Sequence, residues 1–71
     1  MIFNVVESSK RKLGKILEGE TFDEVFQEVA ERFDLRSTDL KIFCEVRQSS
    51  NLRYTIISGQ HKIAVLEPKF E

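Results

Sequence analysis

The stretch Thr21 to Phe33, T-F-D-E-V-F-Q-E-V-A-E-R-F, constrains this chain more than any other segment. Its apolar residues Phe22, Val25, Phe26, Val29 and Phe33 recur at steps of three and four with Ala30 beside them, so a helix gathers them into one stripe. Asp23, Glu24, Gln27, Glu28, Glu31 and Arg32 fall on the opposite face. Thr21 and Glu24 have the spacing of a capping box, in which each side chain satisfies a backbone N–H at the helix start. Acidic residues in the first turn and Arg32 in the last suit the helix dipole. A helix of about thirteen residues is marginal in water on its own, so the stripe needs a cover.

The remaining apolar residues supply that cover in short β-like runs on both sides of the helix. Ile2 to Glu7 is rich in β-branched and aromatic residues and predicts a first strand, with Phe3 and Val5 on one face and Ile2, Asn4 and Val6 on the other. Lys12 to Leu17 predicts a second strand bent or bulged at Gly14, which makes the two runs a hairpin. After the helix, Leu40 to Val46 alternates cleanly, placing Leu40, Ile42, Cys44 and Val46 inward and Lys41, Phe43 and Glu45 outward. Gln48 to Asn51 reads as a turn, Leu52 to Ile57 as the partner strand, and Ser58 to His61 as another turn. Lys62 to Glu67 is the last strand, ended by Pro68, which removes a ladder donor. The expected fold is α+β in the order ββαβββ, a mixed sheet of four to five strands covered on one face by one helix and open to water on the other. The crossover out of the helix is expected to set the third strand parallel to, or next to, the first hairpin.

A chain of 71 residues makes one domain, residues 1–71, with no room for a core plus a deep substrate cleft. A net charge of −1 argues against a dedicated binder of nucleic acid or anionic membrane. The single cysteine, Cys44, excludes an internal disulfide and suits a reducing compartment; it reads as a small buried residue in its strand. No apolar run approaches the ~20 residues that span a bilayer, and the opening M-I-F-N-V-V-E lacks the pattern of a signal peptide. A cytoplasmic location is the expectation. One His, one Cys and scattered carboxylates offer no nucleophile with its base and no set of metal ligands, so the chain is expected to be non-catalytic, with no metal and no cofactor.

This layout resembles the ubiquitin-like β-grasp fold. Gly19-Glu20-Thr21-Phe22-Asp23-Glu24-Val25 is similar to the hairpin-to-helix junction of ubiquitin-like proteins, and Val29 to Phe43 is similar to the helix-to-strand passage of Phox-and-Bem interaction domains. Ras-binding and CIDE-N domains share the layout. The resemblance implies a domain that meets other proteins through its surface, with no small-molecule substrate. The sequence departs from the pattern in three places: Glu45 to Arg53 lacks a dense acidic loop, the last residues lack a diglycine, and Ser58 to His61 is too short for an extra helix.

Three surfaces are candidates for that contact. Lys10, Arg11 and Lys12 with Lys15 form a basic cluster on the opening hairpin, where the resemblance places the patch of basic Phox-and-Bem members. Glu18, Glu20, Asp23, Glu24, Glu28 and Glu31 form an acidic run along the junction and the outer helix face. Opposite patches on one domain would let it associate head to tail with a second copy as well as with another protein. Phe43 and Ile57, with Ile2 or Val6 nearby, form an apolar candidate on the open sheet face. The alternative reading is a single-stranded nucleic-acid platform of Phe3, Phe43 and Tyr54 with Lys41, Arg47 and Arg53; alternation turns Phe3 and Tyr54 inward and counts against it.

Overall fold

The computed structural model describes residues 1–46 and 52–69, and the turn expected at Gln48 to Asn51 lies outside them. The helix, α1 (Phe22–Arg32), begins where the capping residues place it: the Thr21 hydroxyl accepts the Glu24 N–H at 3.2 Å. The Glu24 carboxylate reaches back one residue further than a capping box requires and accepts the Glu20 N–H at 2.8 Å. At the other end Asp34 takes a left-handed conformation, φ 55°, so that its N–H reaches Glu31 O and the N–H of Leu35 reaches Ala30 O. This is a Schellman ending with Asp where Gly is usual, and it folds Leu35 back against the core.

Among the described residues five strands face the helix: β1 (Ile2–Ser8), β2 (Ile16–Glu18), β3 (Leu40–Val46), β4 (Leu52–Ser58) and β5 (His61–Pro68). They form one sheet in the order β2-β1-β5-β4-β3, and every neighbouring pair is antiparallel. The expected mixed sheet is thus corrected. β4 and β5 each follow the preceding strand through a hairpin, the last through only Gly59 and Gln60, so those pairs are antiparallel, and β5 also meets β1 antiparallel. Gly59 takes φ +61°, which that turn needs and a residue without Cβ adopts freely. β5 then inserts between β1 and β4, which sends β3 to the far edge rather than beside the first hairpin.

Three further expectations change. β2 covers only Ile16 to Glu18, because the chain from Lys12 to Lys15 leaves the ladder except where Lys15 O accepts the Val5 N–H at 2.8 Å. The irregularity predicted at Gly14 falls instead on β1, at Val6 between Val5 and Glu7, with a second on β5 at Ile63, opposite Ile56 and Ile57. The last strand does end at Pro68, but Pro68 belongs to it, pairing with Phe3, and the Lys69 N–H beyond it reaches Ile2 O at 2.8 Å.

Val25, Val29 and Ala30 of α1 pack on Phe3, Leu17, Leu40, Ile56, Ala64 and Leu66 of the sheet, all nearly sealed from water. Phe22, Phe26, Phe33 and Tyr54 close the margins of this core. Cys44 and Val46, expected inward, are exposed, Val46 by 75%. Alternation does point them toward the helix side, but an eleven-residue helix is only about 16 Å long and does not reach the far end of an edge strand.

Candidate protein-binding site

β1 runs from the N-terminal end of α1 to its C-terminal end, so the molecule has two poles. At one pole Met1 pairs with Gly19 beside the start of the helix. At the other, the 3-10 turn Ser9–Arg11 meets the helix exit and the β4–β5 turn. The basic and acidic candidates are divided between these poles. Lys10 and Arg11 sit in the 3-10 turn, and the Lys12 ammonium lies 6.0 Å from the centroid of the Phe33 ring. Glu20, Asp23 and Glu24 crowd the opposite pole around the helix N-terminus.

Three candidates separate from their groups, among them Glu31, which lies at the helix exit by the basic pole. Lys15 lies on the approach to β2, level with Val5, away from the turn. Glu28 lies midway along the helix and accepts from Arg32 at 3.0 Å, an i, i+4 pair that leaves the acidic pole to its neighbours.

At the basic pole an open cleft of about 510 Å³ is lined by Ser9, Lys10, Lys12, Phe33, Leu35, Ser58, Gln60, His61, Lys62 and Ile63. Its shape follows from local structure: the Schellman ending aims Phe33 and Leu35 at the sheet, and the two-residue hairpin brings His61 and Lys62 up opposite the 3-10 turn. The floor is apolar, the rim carries lysines, hydroxyls and an amide, and no lining residue is an Asp or Glu. Lys62 is held by Glu7 at 2.9 Å, whereas Lys10 and Lys12 have no ion-pair partner among the described residues. Lys10 and Arg11 both take left-handed backbone, φ 54° and 53°. Such a conformation costs a side-chain-bearing residue roughly 1–2 kcal/mol, and of the two only Lys10 lines the cleft. Sequence reasoning found the lysines but missed Gln60, His61 and Phe33 as their neighbours. Nothing in the sequence pairs a hairpin turn near its end with a turn near its beginning.

The open sheet face is more closed than expected. Phe43 is 52% exposed and Ile57 partly buried, and they are diagonal neighbours through the pairs Phe43–Thr55 and Lys41–Ile57. Ile2 and Val6 are not near them, because β5 and β4 intervene, placing Val6 about 10 Å or more from Ile57. Between them Val65 is only 3% exposed. Phe3 and Tyr54 point to the helix, their rings 5.8 Å apart and each in contact with Phe22, so Phe43 has no aromatic companion from this set on the open face. Arg53 is bound to Glu67.

Among the described residues no group of three metal-ligating side chains converges, and no helix is long and apolar enough to cross a membrane. In comparison with known proteins no family model matches this chain, and neither does a curated protein or a solved structure.

Proposed function

We propose that this chain is a non-catalytic protein–protein interaction module whose basic cleft receives carboxylate side chains from its partner. The carrying observation is the cleft's composition: Lys10 and Lys12 stand over an apolar floor with no lining carboxylate to neutralise them. Lysines so placed steer an acidic partner toward the pole, and the apolar floor supplies a contact for a residue flanked by those acids. The acidic pole of a second copy, with Glu20, Asp23 and Glu24, is one such partner and would give head-to-tail association. The ubiquitin-like reading is kept as a layout, one capped helix over one sheet face with the other face free for partners, and not as a strand arrangement. The one cysteine, exposed on β3, suits a cytoplasmic setting that keeps thiols reduced. A nucleic-acid platform is less well supported, since Phe3 and Tyr54 belong to the core.

Fluorescence anisotropy with a labelled peptide of alternating Glu and Phe tests the reading. Binding should be saturable, weaken as salt rises, and fall about tenfold in Lys10→Gln/Lys12→Gln, whose exposed positions leave the fold intact. Equal affinity in that variant would sink the cleft as the docking site.

A further inference from the structure

β3 ends the sheet, and its residues from Phe43 onward are exposed on both faces. A seven-residue edge strand offers a row of unpaired backbone groups, which a protein normally blunts with charge, a bulge or a cover. Here the ladder to β4 runs without a bulge from Leu40 to Val46, and apolar Phe43 and Val46 are 52% and 75% exposed. The opposite edge differs: β2 is only three residues long.

The sequence of β3, L-K-I-F-C-E-V, is complementary to itself when reversed about Phe43. We propose that two copies of this chain pair antiparallel through β3, with Phe43 on the two-fold axis, to form one continuous ten-stranded sheet. In that register Lys41 lies opposite Glu45 of the second copy and Glu45 opposite its Lys41. Phe43 lies opposite Phe43, giving two ion pairs around an aromatic pair on the open face. On the helix side Leu40 meets Val46 and Ile42 meets Cys44, so the two positions that α1 leaves uncovered are covered by the second copy. Cross-strand pairs of these kinds are favourable, and like charges directly opposite are not, so the arrangement selects both register and direction. The two-fold contact is isologous and closes at two copies, because the remaining edge, β2, is too short to propagate the sheet.

This deepens the interaction-module reading by naming a partner, and it uses a surface separate from the basic cleft. Sedimentation equilibrium across the micromolar to millimolar range tests it. The wild type should associate at least to a dimer. Lys41→Glu places Glu opposite Glu twice, Glu45→Lys places Lys opposite Lys twice, and each should weaken the dimer by at least about tenfold. A mixture of the two variants restores both pairs, so the mixture should form a heterodimer although neither variant dimerises alone. Lys41 and Glu45 are both exposed, so far-UV circular dichroism should be unchanged. A monomeric wild type at every concentration, or variants that dimerise as the wild type does, overturns the proposal. Lys10→Gln/Lys12→Gln should dimerise normally; if instead it alone abolishes association, copies meet through the cleft and not through β3. Peptide binding at the cleft by a monomeric wild type would leave the module reading standing and this dimer refuted.

Discussion

Arg53 on β4 grips Glu67 on β5 with two donors, Nε at 3.1 Å and Nη2 at 3.0 Å, both to the same carboxylate oxygen. The pair lies diagonally beside Val65, which also faces Thr55 and Glu7 across its two neighbouring strands. Val65 is therefore buried on the sheet face that has no helix, walled by charged side chains whose stems are apolar. Val65→Ala should cost about 2 kcal/mol, the loss of two buried methyl groups. Arg53→Ala should cost about 1 kcal/mol, because it frees a partly exposed ion pair and unroofs Val65. Urea denaturation of both variants measures this, and a neutral Val65→Ala would mean that the open face has no core of its own.

The left-handed pair Lys10 and Arg11 yields a prediction of opposite sign. Arg11→Gly relieves backbone strain at the expense of a more flexible unfolded chain, for a net gain of about 0.5 kcal/mol. Arg11 does not line the cleft, so acidic-peptide affinity should change little. A drop in melting temperature would show that the turn's geometry is set by something other than the local backbone.

Tyr54 contributes to the domain's pH dependence at the alkaline end. Burial raises its phenol above the ordinary value, and the neighbouring Cys44 adds to the effect by charge and by hydrogen bonding. A phenol raised on folding stabilises the native state fully while the unfolded phenol is still protonated. That stabilisation is lost as pH climbs from about 10 through the folded value. Unfolding of the wild type measured at a series of alkaline pH values should show this decline, and Tyr54→Phe should show a shallower one. Parallel curves for the two proteins would contradict the assignment.

Thr21 tests the helix start. Thr21→Ala removes the side chain that accepts the Glu24 N–H and should cost about 1 kcal/mol by chemical denaturation. Thr21→Ser, which keeps the hydroxyl, should recover most of the loss.

Phe3 measures how far the helix depends on the sheet. Its ring is 1% exposed and meets Phe22 of α1 edge-on at 5.6 Å. Phe3→Ala should cost about 3–5 kcal/mol, enough to unfold a small domain at moderate temperature. Circular dichroism at the helix minimum is the measurement, and retained helicity with lost sheet signal would mean α1 stands alone.

The sequence by itself determined what depends on a few consecutive residues. The period of Phe22 to Phe33 defines a helix and its buried stripe, Thr21 places its start, and the alternation of Leu40 to Val46 defines a strand. It could not show that Asp34 would end the helix as Gly does, since that left-handed turn is stabilised by Leu35 packing on the core. Only the tertiary structure decided the strand order, because pairing depends on which hairpins share one buried face and not on any local pattern. The insertion of β5 beside β1 made the sheet antiparallel, brought His61 to Lys12 and Phe33 around the cleft, and left β3 at the rim. Burial of Cys44 and Val46 failed for the same reason: alternation tells which way a side chain points, but a helix of fixed length decides which of those side chains it covers.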